Sequence, residues 1–336
     1  MEYRRLGRSG LLVSELALGT MVFGEDGPRA ASPEDGTSMI HRFLDAGGNH
    51  IDTADVYAGG RSEEIVGKAI KLRRDDVVLA TKVRFPMGAG PNDQGSSRHH
   101  ILSGVDASLR RLGTDHIELL YLHCWDPITP LDESLRALDD VVTSGKVRYL
   151  GVSNYMPWQL ATALNMADAM GFHRFVAAQY QYNLITRDIE EDFFDLLEAE
   201  GLGLAPWSPL AGGFLAGKYT RGERPSEDEG RLGSQPDTDE EAWVKRQDDR
   251  SWAIDAAVRQ VASDVGASPA EVALAWVLAQ RAVASVIIGA RTMGQLESNL
   301  AATDVSLGAE HLARLDEASA VPSRYPARFI ANYGKR

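Results

Sequence analysis

The stretch that best indicates the fold is HIDTADVYAGGRSEEIVGKAIKLRRDDVVLATKV, residues 50–83. It contains two apolar runs, His50–Asp55 and Val77–Val83, on either side of a helical pattern at residues 61–72. Continuously apolar runs of this length are typical of strands that are buried on both faces of a parallel sheet. The order strand, helix, strand therefore predicts an α/β fold with parallel neighbours.

The same alternation continues along nearly the whole chain. Eight strands are predicted, at Leu16–Thr20, His50–Asp55, Val77–Val83, Ile117–His123, Val147–Asn154, Phe175–Tyr182, Leu202–Pro206 and Ala284–Ala290. Helices are predicted between them at 33–46, 61–72, 98–112, 131–144, 157–170, 188–199 and 269–281. Eight such strands could form a doubly wound open sheet or a closed barrel. We predict a (β/α)8 TIM barrel in a single domain over residues 1–336, because the strand count and the length fit it and no Gly-x-Gly-x-x-Gly loop follows the first strand.

Two segments depart from this alternation. Residues at about 217–250 are rich in Gly, Pro, Asp, Glu and Arg, and we expect an inserted loop over one end of the barrel. A loop of this length is either a floppy excursion or a lid over a ligand. The C-terminal tail, at about 320–336, carries Tyr325, Phe329 and Tyr333. This tail either closes the pocket, packs on the base of the barrel or meets another subunit.

The composition excludes several classes of partner. Lys and Arg number 35 against 48 Asp and Glu, which gives a formal charge of −13, and a chain this acidic repels nucleic acid phosphates unless its basic residues cluster. No apolar run approaches the ~18 residues that a membrane-spanning helix needs. Cys124 is the only cysteine, which favours a reducing compartment. We therefore expect a cytoplasmic protein with no nucleic acid or membrane partner, and self-association stays open.

Ionisable residues interrupt or end three of the predicted strands. Asp52, Lys82 and His123 lie there, and Tyr57 follows Asp52 by five residues. In a parallel (β/α)8 barrel the active site lies at the carboxyl ends of the strands. Any one of these residues could have a purely structural role. Together they indicate chemistry, because a buried ammonium needs an anion, which Asp52 can supply, and the pair is expected to lower the pKa of Tyr57 toward neutrality. Tyr57 could then donate or accept a proton.

Longer motifs connect these residues to a known family. The stretch 48–57, GNHIDTADVY, followed by SEEIVG at 62–67, resembles the signature of the aldo-keto reductases. Further motifs follow in the order of that family, namely Ala80-Thr81-Lys82, Leu122-His123, Gly151-Val152-Ser153-Asn154, Gln179-Tyr180-Gln181-Tyr182-Asn183, Trp207-Ser208-Pro209-Leu210 and Ile288-Gly289-Ala290-Arg291. The resemblance runs from about Tyr3 to Val305. The long loop after Ser208-Pro209-Leu210 is similar to that of the bacterial, channel-β-like branch.

The resemblance implies a catalytic tetrad of Asp52, Tyr57, Lys82 and His123. In such a site Tyr57 is the general acid in reduction and the general base in oxidation. Lys82, in contact with Asp52, lowers the pKa of Tyr57, and His123 orients the substrate carbonyl. The substrate is implied to be a small carbonyl compound, in a pocket that we expect to be bordered by Met21, Phe23, Tyr57 and Trp125.

The resemblance also implies a nicotinamide cofactor that lies extended across the mouth of the barrel. Its carboxamide is expected at Ser153, Asn154 and Gln179, with Asp52 nearby and Trp207 stacked under the ring. Its pyrophosphate is expected at Ser208, Leu210, Gly212 and Lys218, its adenosine end at Gly289, Arg291, Gln295 and Asn299, and Thr20 and Met21 line the mouth. A guanidinium at Arg291 can bracket a 2′-phosphate, which favours NADP(H), although NAD(H) is possible.

Two functions fit these motifs. One is an NADPH-dependent oxidoreductase that reduces an aldehyde or ketone to an alcohol. The other is a regulatory subunit of the channel-β-like type, which senses the cofactor and turns over little. His123 favours the enzyme, because the channel β-subunits have asparagine at this position. A metal-dependent hydrolase lacks its ligand cluster, and the adjacent His99 and His100 point in different directions, so no metal is expected.

Overall fold

The structure, a computed structural model, describes residues 1–27 and 30–334, with only the backbone of Asp228. It begins with a short hairpin in which β1 (Tyr3–Arg5) pairs antiparallel with β2 (Leu12–Ser14). The buried side chains of Leu6 and Val13 pack against residues that face into the barrel, including Val78 at the start of a strand. The hairpin, which the sequence patterns did not predict, therefore covers the N-terminal end of the barrel and leaves the other end for ligands.

Eight parallel strands follow and form the central sheet. They are β3 (Leu16–Gly19), β4 (His50–Asp52), β5 (Val78–Val83), β6 (Ile117–Leu122), β7 (Val147–Ser153), β8 (Phe175–Gln179), β9 (Gly203–Leu204) and β10 (Val286–Gly289). Neighbours pair in chain order from β3 to β9, and β10 pairs with β3. The amide of Ala284 donates to Leu204 O (2.8 Å) and that of Ile287 to Pro206 O (2.9 Å), so the last two strands also meet and close the sheet. The predicted (β/α)8 barrel is confirmed.

The helices surround the sheet. They are α1 (Pro33–Asp45), α2 (Arg61–Ile70), α3 (Arg98–Leu112), α4 (Leu131–Thr143), α5 (Pro157–Met170), α6 (Ile189–Asp192), α7 (Phe194–Glu200), α8 (Arg231–Ser234), α9 (Asp249–Val265), α10 (Pro269–Leu278), α11 (Met293–Ala301), α12 (Ala309–Ser319) and α13 (Ala327–Tyr333). The predicted helix at 188–199 is divided in two at Phe193, whose φ of −97° widens the helical turn. No boundaries were predicted for α8, α9 and α11–α13.

Helices α9 and α10 meet at a sharp bend. Ser268 caps α10, and its hydroxyl accepts from the amide of Glu271 (3.3 Å). Within α10 every residue from Val272 to Leu278 is buried, so this helix is part of the core. No single helix of the described residues has the length and apolarity to cross a membrane; α9 and α10 together meet both criteria, with a 96° bend between them.

The segment between β9 and α9 is folded onto the barrel. We name residues 205–248 the mouth loop; it includes most of the predicted insertion at 217–250. The indole of Trp243 is buried, and it packs against Phe214 and Tyr219 of the same loop and Trp252 of α9. A floppy excursion would expose these rings. The mouth loop is therefore anchored by an aromatic cluster.

The predicted tail is attached to the barrel through polar contacts. The hydroxyl of Ser323 and the amide of Arg324 both donate to the carboxylate of Glu191. Beyond them Tyr325, Phe329 and Tyr333 keep most of their surface exposed and contact one another. Its last two residues, Lys335 and Arg336, lie outside the described part of the chain.

Candidate active site

The ends of β4 and β5 bring a lysine and a carboxylate together below the mouth. Lys82 has no exposed surface and Asp52 is 2% exposed. The Lys82 ammonium donates to Asp52 Oδ1 (2.5 Å) and to the carbonyl oxygen of Thr53 (2.9 Å). The buried charge thus has the anionic partner that its burial requires.

The ends of β7 and β8 complete a hydrogen-bond network around this pair. Gln179 Nε2 donates to Asp52 Oδ2 (2.8 Å), so both carboxylate oxygens have a partner. The hydroxyl of Ser153 donates to Gln179 O (2.7 Å), and Asn154 Nδ2 donates to His123 O (2.9 Å). Asn154 itself is exposed and has a φ of +54°, which is uncommon outside glycine. The network fixes the four strand ends relative to one another.

Tyr57 lies above the buried pair. Its hydroxyl oxygen accepts from the Lys82 ammonium (3.3 Å), and part of the residue remains exposed. Burial raises the pKa of Tyr57 above 10, Lys82 lowers it and Asp52 raises it. The expected pKa near neutrality is therefore wrong for this structure, because Asp52 offsets the charge of Lys82 and burial disfavours the phenolate. Tyr57 is protonated at neutral pH, which is the state that can donate a proton.

Lys82 is charged at neutral pH, whereas His123 is neutral. Burial lowers the pKa of Lys82, but Asp52 and Tyr57 outweigh it and raise the pKa above its usual value. Burial, followed by the charges of Lys82 and Arg84, lowers the pKa of His123 well below 6.5. The rings of Tyr57 and His123 meet edge to face with their centroids 5.9 Å apart. A charged ammonium thus supports the phenol, and a neutral imidazole stands beside it.

Trp207 and Ser208 form the next part of the mouth, where β9 has ended. The amide of Trp207 donates to Tyr180 O (2.9 Å), and its half-buried indole packs against Ala17, Ala205 and Ile287. Ser208 has a φ of +54°, and its hydroxyl accepts from the amide of Gly212 (3.2 Å). An aromatic face is thus followed at once by a tight turn, in which the amide of Gly213 also donates to Leu210 O (2.9 Å).

The mouth loop contributes two charged residues that the sequence motifs did not single out. Glu241 is 1% exposed, and its Oε1 accepts from the hydroxyl of Ser208 while its Oε2 lies 3.0 Å from Arg231 Nε. The charge of Arg231 also acts on Tyr57, where it offsets a small part of the rise in the pKa. Both residues belong to a segment with many charges and no periodicity, so only the folded loop reveals their position.

The predicted adenosine residues lie together at the end of β10 and the start of α11. The amide of Arg291 donates to Gln295 Oε1 (3.0 Å), and Asn299 Nδ2 donates to Gly289 O (3.0 Å). Burial, and after it the charge of Arg291, lowers the pKa of Lys218. Two cations, one from the barrel and one from the mouth loop, therefore face the same region.

Two predicted contacts are wrong. Phe23 has no exposed surface, and its ring packs against α1 so closely that a Cβ on Gly36 would come within 3.0 Å of it. Thr20 is also fully buried, with its hydroxyl 2.8 Å from Ser62 Oγ and 3.2 Å from Asp52 O. Neither side chain lines the mouth, because the turn after β3 directs both into the core. Met21 and Trp125 keep part of their surface exposed.

The remaining predicted residues occupy the same end of the barrel. Leu210 and Gly212 are partly exposed in the turn after Ser208, and Gly212 has a φ of +69°. Within the described ranges no three His, Cys, Asp or Glu side chains converge as a metal site requires.

The sequence of the chain is similar to those of known proteins along most of its length. Residues 15–320 match a family model described as the aldo/keto reductase family. The chain is 38% identical over 310 residues to a probable voltage-gated potassium channel subunit beta of Oryza sativa subsp. japonica, covering 91% of this chain and 92% of the relative. It is 37% identical over 340 residues to versiconal hemiacetal acetate reductase of Aspergillus parasiticus, with 94% and 96% covered. It is 38% identical over 328 residues to an uncharacterized oxidoreductase of Bacillus subtilis (strain 168), with 94% and 95% covered.

Proposed function

The chain belongs to the aldo/keto reductase family and is an oxidoreductase, and we propose that it reduces an aldehyde or ketone to an alcohol with NADPH. The observation that carries the proposal is the contact of a protonated tyrosine with a buried, paired ammonium beside a neutral histidine. Donors of this kind stabilise the charge that develops on a carbonyl oxygen during reduction.

Each member of the tetrad has a separate task in the proposed reaction. Tyr57 gives its proton to the carbonyl oxygen, and Lys82, 3.3 Å from the phenol oxygen, stabilises the phenolate that remains. Asp52 keeps Lys82 charged and in place through its 2.5 Å contact. The neutral imidazole of His123 orients the carbonyl without adding a charge. A bound nicotinamide supplies the hydride.

The residues along the mouth fit a dinucleotide. Trp207 offers a half-buried aromatic face, and the turn after Ser208 contains Gly212 and Gly213 with φ values of +69° and +89°. A Cβ on Gly289 would meet nothing within 4 Å, so the chain leaves room at the adenosine end. Ser153, Asn154 and Gln179 would hold the carboxamide, and Lys218 would hold a phosphate.

The choice of NADPH rests on Arg291. A guanidinium and the amides at the start of α11 suit a 2′-phosphate, which NADH lacks. We further propose that residues 1–336 act as one domain, in the cytoplasm, on small carbonyl compounds. The single cysteine supports this location, because it favours a reducing compartment.

A second candidate function is a cofactor-sensing regulatory subunit. The relative named as a probable potassium channel subunit beta keeps this candidate open. His123 and the partly exposed Tyr57 favour turnover, since a sensor needs neither a proton donor nor a group that orients a carbonyl.

A screen of aldehydes, ketones and sugar-like carbonyls, followed by NADPH absorbance, separates the two functions. We expect turnover with at least one class of carbonyl, and faster turnover with NADPH than with NADH. Cofactor binding with no loss of absorbance from any of the carbonyls would favour the regulatory function.

A further inference from the structure

Arg84 lies at the mouth in a strained conformation. It directly follows β5, two residues after Lys82, and has a φ of +143°. Residues with a Cβ rarely adopt this backbone conformation, and such strain concentrates where a side chain is held for function. The amide of Gly95 donates to Arg84 O (2.8 Å), so the loop after β5 fixes the strained residue from its carbonyl side.

The guanidinium of Arg84 has unused donors. Its Nη2 donates to the carbonyl oxygen of Trp125 (3.2 Å). Its Nε is buried and has no hydrogen-bond partner among residues 1–27 and 30–334. Arginine has five N–H donors, so most of this group is free of the described protein groups. A buried donor without a partner costs stability, which a ligand can recover.

Asp126, whose pKa the charge of Arg84 lowers, already accepts hydrogen bonds from its own loop and from Ser96. Asp126 Oδ2 accepts from the amide of Ser96 (2.7 Å) and from the hydroxyl of Thr129 (2.7 Å), and its Oδ1 accepts from the amide of Ile128 (3.0 Å). Asp126 therefore holds the neighbouring loop rather than neutralising the guanidinium by a direct hydrogen bond.

Arg84 belongs to one wall beside the proposed reaction centre. Its guanidinium carbon lies 5.5 Å from the ring centroid of Phe85, and that ring is 4.7 Å from the imidazole of His123. Its charge reaches His123. Trp125, whose carbonyl Arg84 holds, is partly exposed on the same wall. A substrate carbonyl at His123 therefore places the rest of the substrate near Phe85, Trp125 and Arg84.

We propose that Arg84 binds a carboxylate of the substrate, so that the preferred substrates are aldehydes or ketones that carry an acid group. This inference rests on the proposed carbonyl reduction. A planar guanidinium pairs with a carboxylate through two parallel hydrogen bonds, and the aromatic rings beside it accommodate the apolar part of such a molecule. The chain as a whole has a charge of −13, so an anionic substrate needs a local cation at the mouth.

The test compares an acid with its neutral ester. The values of kcat/KM are measured for 4-carboxybenzaldehyde and methyl 4-formylbenzoate, and the 2- and 3-carboxy isomers vary the distance between the two groups. We expect the wild type to prefer an acid. In Arg84→Met, kcat/KM for that acid should fall roughly ten- to a hundredfold, the range for a charge-assisted hydrogen bond, with the ester little changed. For the acid, kcat/KM of Arg84→Lys should lie between those of the wild type and Arg84→Met, because lysine keeps the charge but cannot form two parallel hydrogen bonds with a carboxylate.

A matched control is Arg136→Met. Arg136 also lies over an aromatic ring, that of Phe172 at 5.4 Å, but on α4 away from the mouth. Both substrates should behave as in the wild type, and thermal unfolding of each variant verifies its fold. Equal losses for acid and ester in Arg84→Met would make Arg84 a support for Trp125 and overturn the inference. The absence of any preference for an acid in the wild type would overturn it as well.

Measuring ligand binding in the absence of turnover distinguishes failure of the proposed function from failure of the inference about Arg84. If no aldehyde is reduced, the proposed function is wrong, and calorimetry with 4-(hydroxymethyl)benzoate and 4-(hydroxymethyl)benzamide still tests Arg84. Tighter binding of the benzoate that is lost in Arg84→Met supports acid recognition. Equal binding of the two compounds, or binding of neither, overturns it.

Discussion

The strand ends and the mouth loop face the same opening, but their charges are held differently. At the strand ends the Lys82–Asp52 pair is almost fully buried, and register across β3, β4 and β5 sets its position. In the mouth loop the ion pair of Arg224 with Asp237 is about half exposed on both sides. Exposed pairs contribute ~0–1 kcal/mol, whereas breaking a buried pair costs ~3–5 kcal/mol. The proposed proton chemistry thus depends on charges buried between strands, and part of the proposed cofactor site lies on a loop that also carries solvent-exposed ion pairs.

This difference can be tested first at Tyr57, where we expect the largest effect. Tyr57→Phe keeps the ring over Lys82 and removes the only proton that it can deliver. We expect kcat to fall at least ~10²-fold, the lower end for general acid–base catalysis, with cofactor affinity little changed. Stopped-flow or steady-state turnover and a cofactor titration measure the two quantities. Tyr3→Phe, which removes an exposed hydroxyl from the hairpin, is the control; near-normal turnover in Tyr57→Phe would exclude Tyr57 from the mechanism.

Arg291 and Lys218 provide the second test, because they face the same region from the two parts of the molecule. Arg291→Ala should weaken NADPH roughly ten- to a hundredfold, since charge-assisted hydrogen bonds contribute ~1.5–3 kcal/mol, and should leave NADH nearly unchanged. Lys218→Ala should weaken both cofactors alike, because both contain a pyrophosphate. Quenching of tryptophan fluorescence measures these affinities, given Trp207 at the proposed nicotinamide position. Equal weakening of both cofactors by Arg291→Ala would remove the main support for NADPH.

Asp55 tests how much stability a buried carboxylate near the strand ends costs the protein. It has no exposed surface, and burial, followed by the charge of Glu63, raises its pKa to about 7 from 3.8. Because the folded-state pKa is the higher one, the folded protein binds the extra proton. The stability that this proton contributes is complete below pH ~4 and is lost as the pH rises through about 7. The loss is at most ~4 kcal/mol, at 1.36 kcal/mol for each unit of pKa difference between the folded and unfolded states.

Asp55→Asn removes this titration. An amide in the same place costs ~1–3 kcal/mol, so we expect a net gain of about 2 kcal/mol at pH ~8 that shrinks as the pH falls to ~5.5. Urea unfolding at several pH values measures the difference from the wild type. Asp237→Asn, in the mouth loop, should change stability by less than ~1 kcal/mol. A difference between Asp55→Asn and the wild type that does not grow with pH would contradict the raised pKa.

The two regions also differ in how far the sequence predicts them. Lys82 and Asp52 could be paired in advance, because an ammonium in an apolar strand needs an anion and parallel strands end at one level. Phe23 could not be placed, since its direction depends on a turn in which its amide donates to Thr20 O (3.0 Å). The pKa of Tyr57 depends on the balance of burial against two opposite charges, which spacing along the chain does not give.

Arg231 and Glu241 were missed for a related reason. They are 10 residues apart in a segment without periodic pattern, and their contact depends on the aromatic cluster around Trp243 that anchors the mouth loop. Charge in such a segment is usually solvated, so composition alone assigns it no partner. Sequence motifs therefore predict residues fixed by strand register better than residues brought in by a loop.

The smallest effect is expected at Glu241, where the mouth loop meets the barrel. The hydroxyl of Ser208 donates to this buried carboxylate, and a hydroxyl has a single hydrogen, so it cannot also donate to a cofactor phosphate. Glu241→Gln keeps the shape and removes the charge, which weakens the competing hydrogen bond and releases Arg231 from its ion pair. We expect NADPH to bind about two- to tenfold more tightly, the equivalent of one net hydrogen bond of ~0.5–1.5 kcal/mol. The adjacent Glu240→Gln, whose carboxylate is largely exposed and pairs with Lys245, should leave the affinity unchanged. If Glu241→Gln instead weakens NADPH, Glu241 holds Arg231 and Ser208 in their binding positions, and the mouth loop is as much a fixed part of the site as the strand ends.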